Sequence, residues 1–334
     1  MDNIEYGSLF ENEHPTKWKD VTRAERQALA DAYAEYGTAG ISTVLRGLEL
    51  SIPVNTVRGK MIQAGIRVKT LEFADSAPIP RKYNIEIPQE TVKAVFVGDE
   101  QGIFRDRDLC SRVLEFISDF QPDLLVDLGD SIDHYSISRF DKDPRRQLSL
   151  EIELEDAKDY FIDLDVAAPM YAKKLWLKGN HEKRWNDYIV KNAPQIAFML
   201  GRELSLERAV GVDALGWETF EYGSMVDFRG FTMTHGTFTG PTAAEKAAKA
   251  MGGSGIQGHD HMPNMHHWSD MNGPHLWVIN PTLMRIDATS PDYINGIVNW
   301  AQGFTYAHFI GNRWTLTQVI ADLDGHFIAE GKRY

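Results

Sequence analysis

Eight polar residues lie in segments where an apolar run ends at a glycine: Asp99 and Gln101 in AVFVGDEQG, Asp130 in LLVDLGDSID, Asn180 and His181 in KLWLKGNHE, His235 in FTMTHG, and His259 and His261 in GIQGHDH. Carboxylate, amide and imidazole donors without a thiolate suit manganese, iron, zinc or nickel better than a soft metal or an iron–sulfur cluster. A carboxylate such as Asp130 can bridge two cations. Two ions bridged in this way sit about 3.5–4 Å apart and clamp the attacking and leaving oxygens of an in-line displacement at phosphorus. The chemistry these residues point to is phosphoester hydrolysis.

Those residues need strand ends to carry them. Short apolar runs bounded by glycine read as core strands, here Val92–Val97, the run from Leu124, Leu175–Leu177, Phe231–Thr234 and Ile256–Gln257. Open α/β sheets place their ligand crevices at the carboxyl ends of such strands, where the candidate ligands fall. A helix over Asp108–Phe120 between the first two runs predicts a β–α–β unit with parallel pairing. Pro241–Met251 reads as an Ala-rich helix begun by proline and stopped by Gly252-Gly253. Alternation along an extended segment turns His259 and His261 to the same side, whereas His266 and His267 read as surface residues. Ser149–Ala168 is acidic, with Ile152, Ala157, Phe161 and Leu164 as an uneven helical stripe, and its acids read as a solvated face. The interval Trp185–Arg229 exceeds what a crossover needs; Trp185, Tyr188, Phe198, Trp217, Phe220 and Tyr222 there can build core, lid or substrate wall. From Leu276 to Phe327 strand-like runs alternate with turns, Asp324-Gly325 being a hairpin signal, and should complete a second sheet.

The chain has 334 residues, of which 43% are hydrophobic and 25% charged, enough for one large core and a small module. A single cysteine, Cys110, allows no internal disulfide. With no basic-then-apolar leader at Met1–Ile4 and no apolar run long enough to span a bilayer, a soluble cytoplasmic protein without a membrane partner is expected. The net charge of −13 argues against a surface that coats nucleic acid all over, while leaving room for a local basic face.

Such a face occurs near the start. Residues 1–20 read as a flexible acidic arm. Thr22 and Glu25 have capping-box spacing, with Leu29, Tyr33 and Tyr36 on one face of a helix closed by Gly37 and Gly40. A second helix carries Ile41, Val44, Leu45 and Leu48. Pro53 opens a third, with Val54, Val57 and Met61 inside and Asn55, Thr56, Arg58 and Lys60 outside. From Arg46 to Lys69 five cations face Glu49 alone. Residues 21–70 thus resemble the helix-turn-helix of small regulators and recombinases, in which Asn55, Thr56, Arg58 and Lys60 would contact DNA. The same module could instead serve homodimerisation or packing. Residues 71–90, with Pro78, Pro80 and Pro88, read as an extended linker to a catalytic domain over 91–334.

In chain order, Asp99-Glu100-Gln101, Gly129–Asp133, Gly179–Glu182, His235 and Gly258–His261 resemble the D-x-H, G-D-x-x-D, G-N-H-E/D, strand-end His and G-H-x-H motifs of the calcineurin-like metallophosphoesterase superfamily. The resemblance runs from Thr91 to about the C-terminus, and five spaced motifs in one order make it specific. It departs at Gln101, where most members carry His; some members, including a manganese-dependent group acting on nucleoside diphosphate derivatives, have Gln. A neutral amide oxygen suits a harder ion than zinc, which favours manganese.

The resemblance implies an α/β fold, a four-layer αββα sandwich of two mixed sheets, preceded here by the small all-α helix-turn-helix-like domain. It implies two divalent ions bridged by Asp130, with Asp99, Gln101 and His261 on one and Asn180, His235 and His259 on the other. Bridging hydroxide would attack phosphorus while His181 assists the leaving oxygen. Asp133 would support the site through hydrogen bonds. Protein phosphatases of the superfamily usually carry an arginine at the position of His134, so a protonated His134 could meet the substrate phosphate or else orient a neighbour; Arg184 could also reach it. A basic helix-turn-helix before a hydrolytic domain resembles some phage and prophage members and favours a DNA-directed nuclease or phosphodiesterase, encoded by a phage and acting in host cytoplasm. The alternatives are a phosphatase or phosphodiesterase acting on a small nucleotide or phosphoprotein, and a scaffold that has lost catalysis, against which His181 and the ligand set count.

Overall fold

The computed structural model describes residues 17–66, 81–142, 149–287 and 298–334. The chain divides into two compact units, Met1–Pro78 and Ile79–Tyr334. Most of the arm (residues 1–16), Arg67, Lys69 and the first part of the linker with Pro78 and Pro80 lie outside the described residues. No helix among the described residues is long and apolar enough to cross a membrane.

In the first unit α1 (Arg23–Gly47) starts with the expected capping box, Thr22 and Glu25 satisfying each other's backbone amides. The helix then runs through Gly37 and Gly40 without a break. A glycine costs a helix about 1 kcal/mol relative to alanine but does not by itself end it. The buried stripe Leu29, Tyr33, Ile41 and Leu45 keeps its four-residue step across the glycines and closes on Leu50, Ile52, Val57 and Met61. The expected three short helices are therefore two among the described residues, α1 and α2 (Val54–Gln63), the latter capped by Pro53. Asn55, Thr56, Arg58 and Lys60 lie exposed on α2.

The second unit begins inside the stretch read as a linker. Lys82–Asn84 (β1) pairs in parallel with Met225–Phe228, and Ile85 and Ile87 are buried. After it come β2 (Thr91–Val97), α3 (Arg107–Phe120), β3 (Leu124–Asp127), α4 (Leu150–Ala167) and β4 (Lys173–Leu177). The long interval folds as α5 (Asn180–Asn192), α6 (Pro194–Leu200), α7 (Leu206–Ala209) and β5 (Glu218–Phe220). There follow β6 (Met225–Phe228), β7 (Phe231–Thr234), α8 (Ala243–Met251), β8 (Ser254–Gln257), β9 (Asn264–Asp270) and β10 (Gly273–Ile279). The chain ends with β11 (Gly303–Ile310), β12 (Arg313–Ile320) and a short hairpin of β13 (Ile328–Ala329) and β14 (Lys332–Arg333).

Among the described residues two six-stranded mixed sheets result, ordered β12-β11-β2-β3-β4-β5 and β1-β6-β7-β8-β10-β9. Strand alternation sorts the core. Val95, Val97, Leu125 and Trp176 pack with α3 and α4, whereas Ala94, Phe96, Leu124, Val126 and Leu175 meet Val226, Phe231, Met233 and Ile256 of the other sheet. The alanines of α8 cover Trp277 and Ile279. The layers are helices, sheet, sheet and helix, with β2, β3, β4 and β5 parallel as the β–α–β pattern requires.

Three local expectations change. The C-terminal region divides between the sheets, β10 joining one and β11 and β12 the other, because β11 pairs antiparallel with β2. Asp324-Gly325 forms no hairpin; the side chain of Asp322 accepts from the amides of Asp324 and His326 and holds a local turn. On α4 the acids are not all solvated: Glu153 and Asp156 are buried, and Ile152 is exposed.

Candidate metal centre

The candidate ligands lie just past the ends of strands, where the backbone is forced into an unusual conformation. Asp99, Gln101, Asp130, His259 and His261 have φ of 57°, 55°, 54°, 73° and 59°, and His134 has 51°. Left-handed φ is uncommon outside glycine, with Asp and His among the more tolerant types. Each instance costs on the order of 1–3 kcal/mol, and such strain collects at functional sites. Two motif glycines are set by crowding: a Cβ on Gly179 would stand 2.1 Å from Asp130 Oδ1, and one on Gly258 would stand 2.4 Å from Asp99 Oδ2.

Asp130, His235 and His259 bring one ligand atom each within 4.8 Å of one another. His235 donates from Nδ1 to the Leu128 carbonyl at 2.8 Å. Its Nε2 then faces Asp130 Oδ2 at 3.4 Å and Asn180 Oδ1 at 3.2 Å. Two oxygens directed at one imidazole nitrogen demand a positive charge between them. Accordingly, although burial opposes the charged form, Asp130 lifts the pKa of His235 to about 10. Burial and the neighbouring His235 lower that of His259 to about 4, which leaves its imidazole neutral and able to donate a lone pair.

On the other side of Asp130, Asp99 accepts the His259 amide with both oxygens at 3.0 Å, and its Oδ1 lies 3.1 Å from His261 Nε2. Gln101 stands 3.5 Å from Asp130 through Nε2, while its buried Oε1 meets no protein donor among the described residues. An orphaned amide oxygen, imidazole nitrogens and two carboxylates fit a pair of divalent ions. A cleft of about 290 Å³ opens on these groups, lined by Gln101, Asp130, Asn180, His181, His259 and His261 together with Thr239, Asp260 and Trp300.

His181 occupies a separate corner. Its amide donates to Asp130 Oδ1 at 2.9 Å, and its ring lies 2.7 Å from Asp133 through Nδ1 and 3.7 Å from Asp130 through Nε2. Burial works against the imidazolium, but the carboxylates of Asp130 and Asp133 prevail and raise its pKa. Arg184, one helical turn on, donates to the Asp133 carbonyl at 2.6 Å and reaches His181 Nε2 at 3.0 Å. Its side chain is 19% exposed, so a second partner can approach it.

His134 does not suit a charged phosphate ligand. Its side chain is buried and bonded through Nδ1 to the His181 carbonyl at 2.9 Å, and burial pushes its pKa down to about 4. Orienting the His181 backbone is the role its geometry allows. Asn55, Thr56, Arg58 and Lys60 belong to the other unit.

Several supporting residues escaped the sequence reading. The buried carboxylate of Glu182 accepts the amides of Gly179, Asp130 and Ile132 at 2.7, 2.9 and 3.1 Å, tying two ligand loops together. Its place at the third position of α5 is the capping signal that could have revealed it. Glu153 accepts the amides of Tyr135 and Ser136, fixing the loop that carries His134, and Asp156 binds Arg105 and Arg107. Lys178 bonds Glu207 at 2.7 Å and Glu221 at 2.5 Å, anchoring the long interval to the end of β4. Within that interval Trp217 is core, Trp185 bonds the Leu204 carbonyl, Tyr188 is exposed and Phe220 packs between the sheets. Tyr222 reaches the site, its ring 6.0 Å from that of His235. The side chain of Phe198 lies outside the described residues.

The arrangement is that of a strand-end centre of mixed nitrogen and oxygen ligands on a two-sheet α/β sandwich. No protein-family model matches the chain. It is similar to the Gene 54 protein of Mycobacterium phage D29, 28% identical over 260 residues that span 72% of this chain and 97% of that protein. The Gene 54 protein of Mycobacterium phage L5 is 26% identical over 256 residues, with the same coverage of 72% and 97%. Among solved structures, Vacuolar Protein Sorting 29 of Cryptosporidium parvum superposes with a TM-score of 0.36 at 12% identity, over 73% of this chain and 95% of that one. A dimetal phosphatase from Danio rerio gives 0.35 at 13% identity, over 67% and 95%. The phosphoesterase Yfce of E. coli gives 0.31 at 15%, over 71% and 97%.

Proposed function

We propose that the chain is a metal-dependent phosphoester hydrolase that holds two divalent ions on either side of Asp130. The observation that carries this reading is the position of Asp130 between two donor sets, Asn180, His235 and His259 on one side and Asp99, Gln101 and His261 on the other. When bound, such a pair supplies a water acidified toward neutral pH and neutralises charge on the phosphoryl oxygens. The orphaned amide oxygen of Gln101 favours manganese over zinc at its position.

The protein's own part is positional. His181, held on Nδ1 by Asp133, is placed to give a proton to the leaving oxygen. Arg184 contacts both, and we assign its guanidinium, in place of the neutral His134, as the cation that would meet a substrate phosphate. Glu182 keeps the loops of Asp130 and Asn180 in register, which preserves the geometry a phosphoryl centre needs.

For the substrate we favour DNA, cleaved as a phosphodiester. The support is the exposed set Asn55, Thr56, Arg58 and Lys60 on α2, within a stretch whose charge is basic in an otherwise acidic chain. The test compares bis-p-nitrophenyl phosphate, p-nitrophenyl phosphate and labelled single- and double-stranded DNA with manganese, against Asp130→Asn. DNA cleavage that disappears in the variant is the expected result. Turnover of the small esters with DNA left intact overturns the nuclease reading and directs attention to a small nucleotide or phosphoprotein, with the N-terminal unit serving a homodimer. In that event the oligomeric state after deletion of residues 1–70 decides the role of the unit.

A further inference from the structure

The cleft contains one side chain that phosphoryl chemistry has no use for. Around it lie carboxylates, amides, imidazoles and a threonine hydroxyl; the exception is the indole of Trp300. Its placement is fixed by the fold. Ala301, the next residue, donates its amide to the carbonyl of His261 at 3.1 Å and accepts that of Thr282 at 3.1 Å, so the backbone is fastened to a ligand loop. The half-buried ring packs against the cluster of Phe104, Tyr135 and Met284. Its ring and that of His261 make a T-shaped contact, with centroids 4.6 Å apart and planes at 75°. The indole thus touches an apolar cluster and His261 and also lines the cleft.

A rigid planar surface beside a polar hydrolytic centre serves a substrate that is itself planar next to its phosphate. Inorganic or aliphatic phosphates gain nothing from it, whereas a nucleobase stacks on indole. We propose that Trp300 is a specificity-determining residue that stacks on a nucleobase flanking the scissile phosphate, on the Asp99, Gln101 and His261 side of the centre. This rests on the phosphoesterase reading above and narrows it to phosphodiesters bearing a base.

The test uses the full chain loaded with manganese and two esters sharing one leaving group, thymidine 5′-(p-nitrophenyl phosphate) and methyl p-nitrophenyl phosphate. Trp300→Ala should lower kcat/KM for the thymidine ester by about five- to a hundredfold, the range of base stacking lost on alanine substitution. The loss should appear in KM, and the methyl ester should change by less than about twofold on the same scale. Trp300→Phe should recover most of the loss, and metal stoichiometry should match the parent in both variants. An equal loss on both esters, or metal missing from Trp300→Ala, overturns the proposal by showing that the ring props up His261. No change on either ester overturns it as well. If Trp300→Ala does not fold, Trp300→Phe and Trp300→Leu must still differ from one another on the thymidine ester alone. A parent inert on both esters removes the phosphodiesterase reading itself, a failure distinct from an active parent indifferent to position 300.

Discussion

At one end of the candidate centre His235 and His259 join Asp130 in a group of three ionisable side chains, with the Asn180 amide oxygen beside them. At the other end Asp99 and His261 form a pair, and the remaining donor is the neutral Gln101. Both ends use αL turns after strands, so the difference is chemical rather than architectural. Two imidazoles and a carboxylate bind most first-row divalent ions tightly, whereas one imidazole, a carboxylate and an amide discriminate toward harder ions. The lesson is that one bridging carboxylate can serve two positions of unequal strength and unequal metal preference.

The largest effect should follow from removing what the two positions share. Asp130→Asn should strip metal from both and lower turnover of bis-p-nitrophenyl phosphate by ~10³-fold or more, the scale of losing several kcal/mol of charge stabilisation. Metal retained at the parental stoichiometry would break the comparison. Next come the separate positions. His235→Ala should cost one ion per chain and most activity, whereas Gln101→His should keep both ions and shift the preferred metal from manganese toward zinc, read by competition between the two. If the histidine variant keeps the parental preference, the amide is not the source of the asymmetry.

A smaller loss is expected behind the ligands. Glu182→Gln keeps the shape but weakens the acceptor for three amides, and should cost about ten- to a hundredfold in metal affinity or activity, as is usual for groups that orient ligands. Least affected in turnover should be Lys178→Met, whose effect falls on stability. Removing one partner of a buried ion pair costs about 3–5 kcal/mol because the other charge is left behind; here Glu221 is exposed and Glu207 only partly buried, so solvent screening brings the loss below that range. Although burial opposes its charge, Glu221 and Glu207 raise the folded pKa of Lys178 above the ordinary lysine value. The stabilisation is therefore complete below the unfolded pKa and drains as pH rises through the higher folded one. Urea melts should show the parent losing stability above about pH 10.5, and the methionine variant losing less over the same range.

How much of this was visible beforehand depended on distance along the chain. The candidate ligands stood out in the sequence because they follow apolar runs and sit beside glycines, and the glycines at 179 and 258 are where close approach requires them. Their supports did not. Glu153 and Asp156 looked like a solvated face because the amides of Tyr135 and Ser136 and the guanidinium groups of Arg105 and Arg107 come from other segments. β1 was hidden because its partner, β6, lies far downstream, and no local pattern announces a three-residue edge strand. His134 could be read as charged until its burial was known. In the first unit Gly37 and Gly40 were read as stops, yet an apolar stripe that keeps its period across them outweighs their propensity. Trp300 had no sequence signal, since only the fold brings it to His261.

The central claim is that Asp130 joins two ions into one centre. Electron paramagnetic resonance of the manganese-loaded chain, with metal counted in the same sample, tests it most directly. Two ions per chain giving the spectrum of a coupled pair about 3.5–4 Å apart, lost in Asp130→Asn, is the predicted result. A single ion, or two with uncoupled spectra indifferent to Asp130, would contradict it.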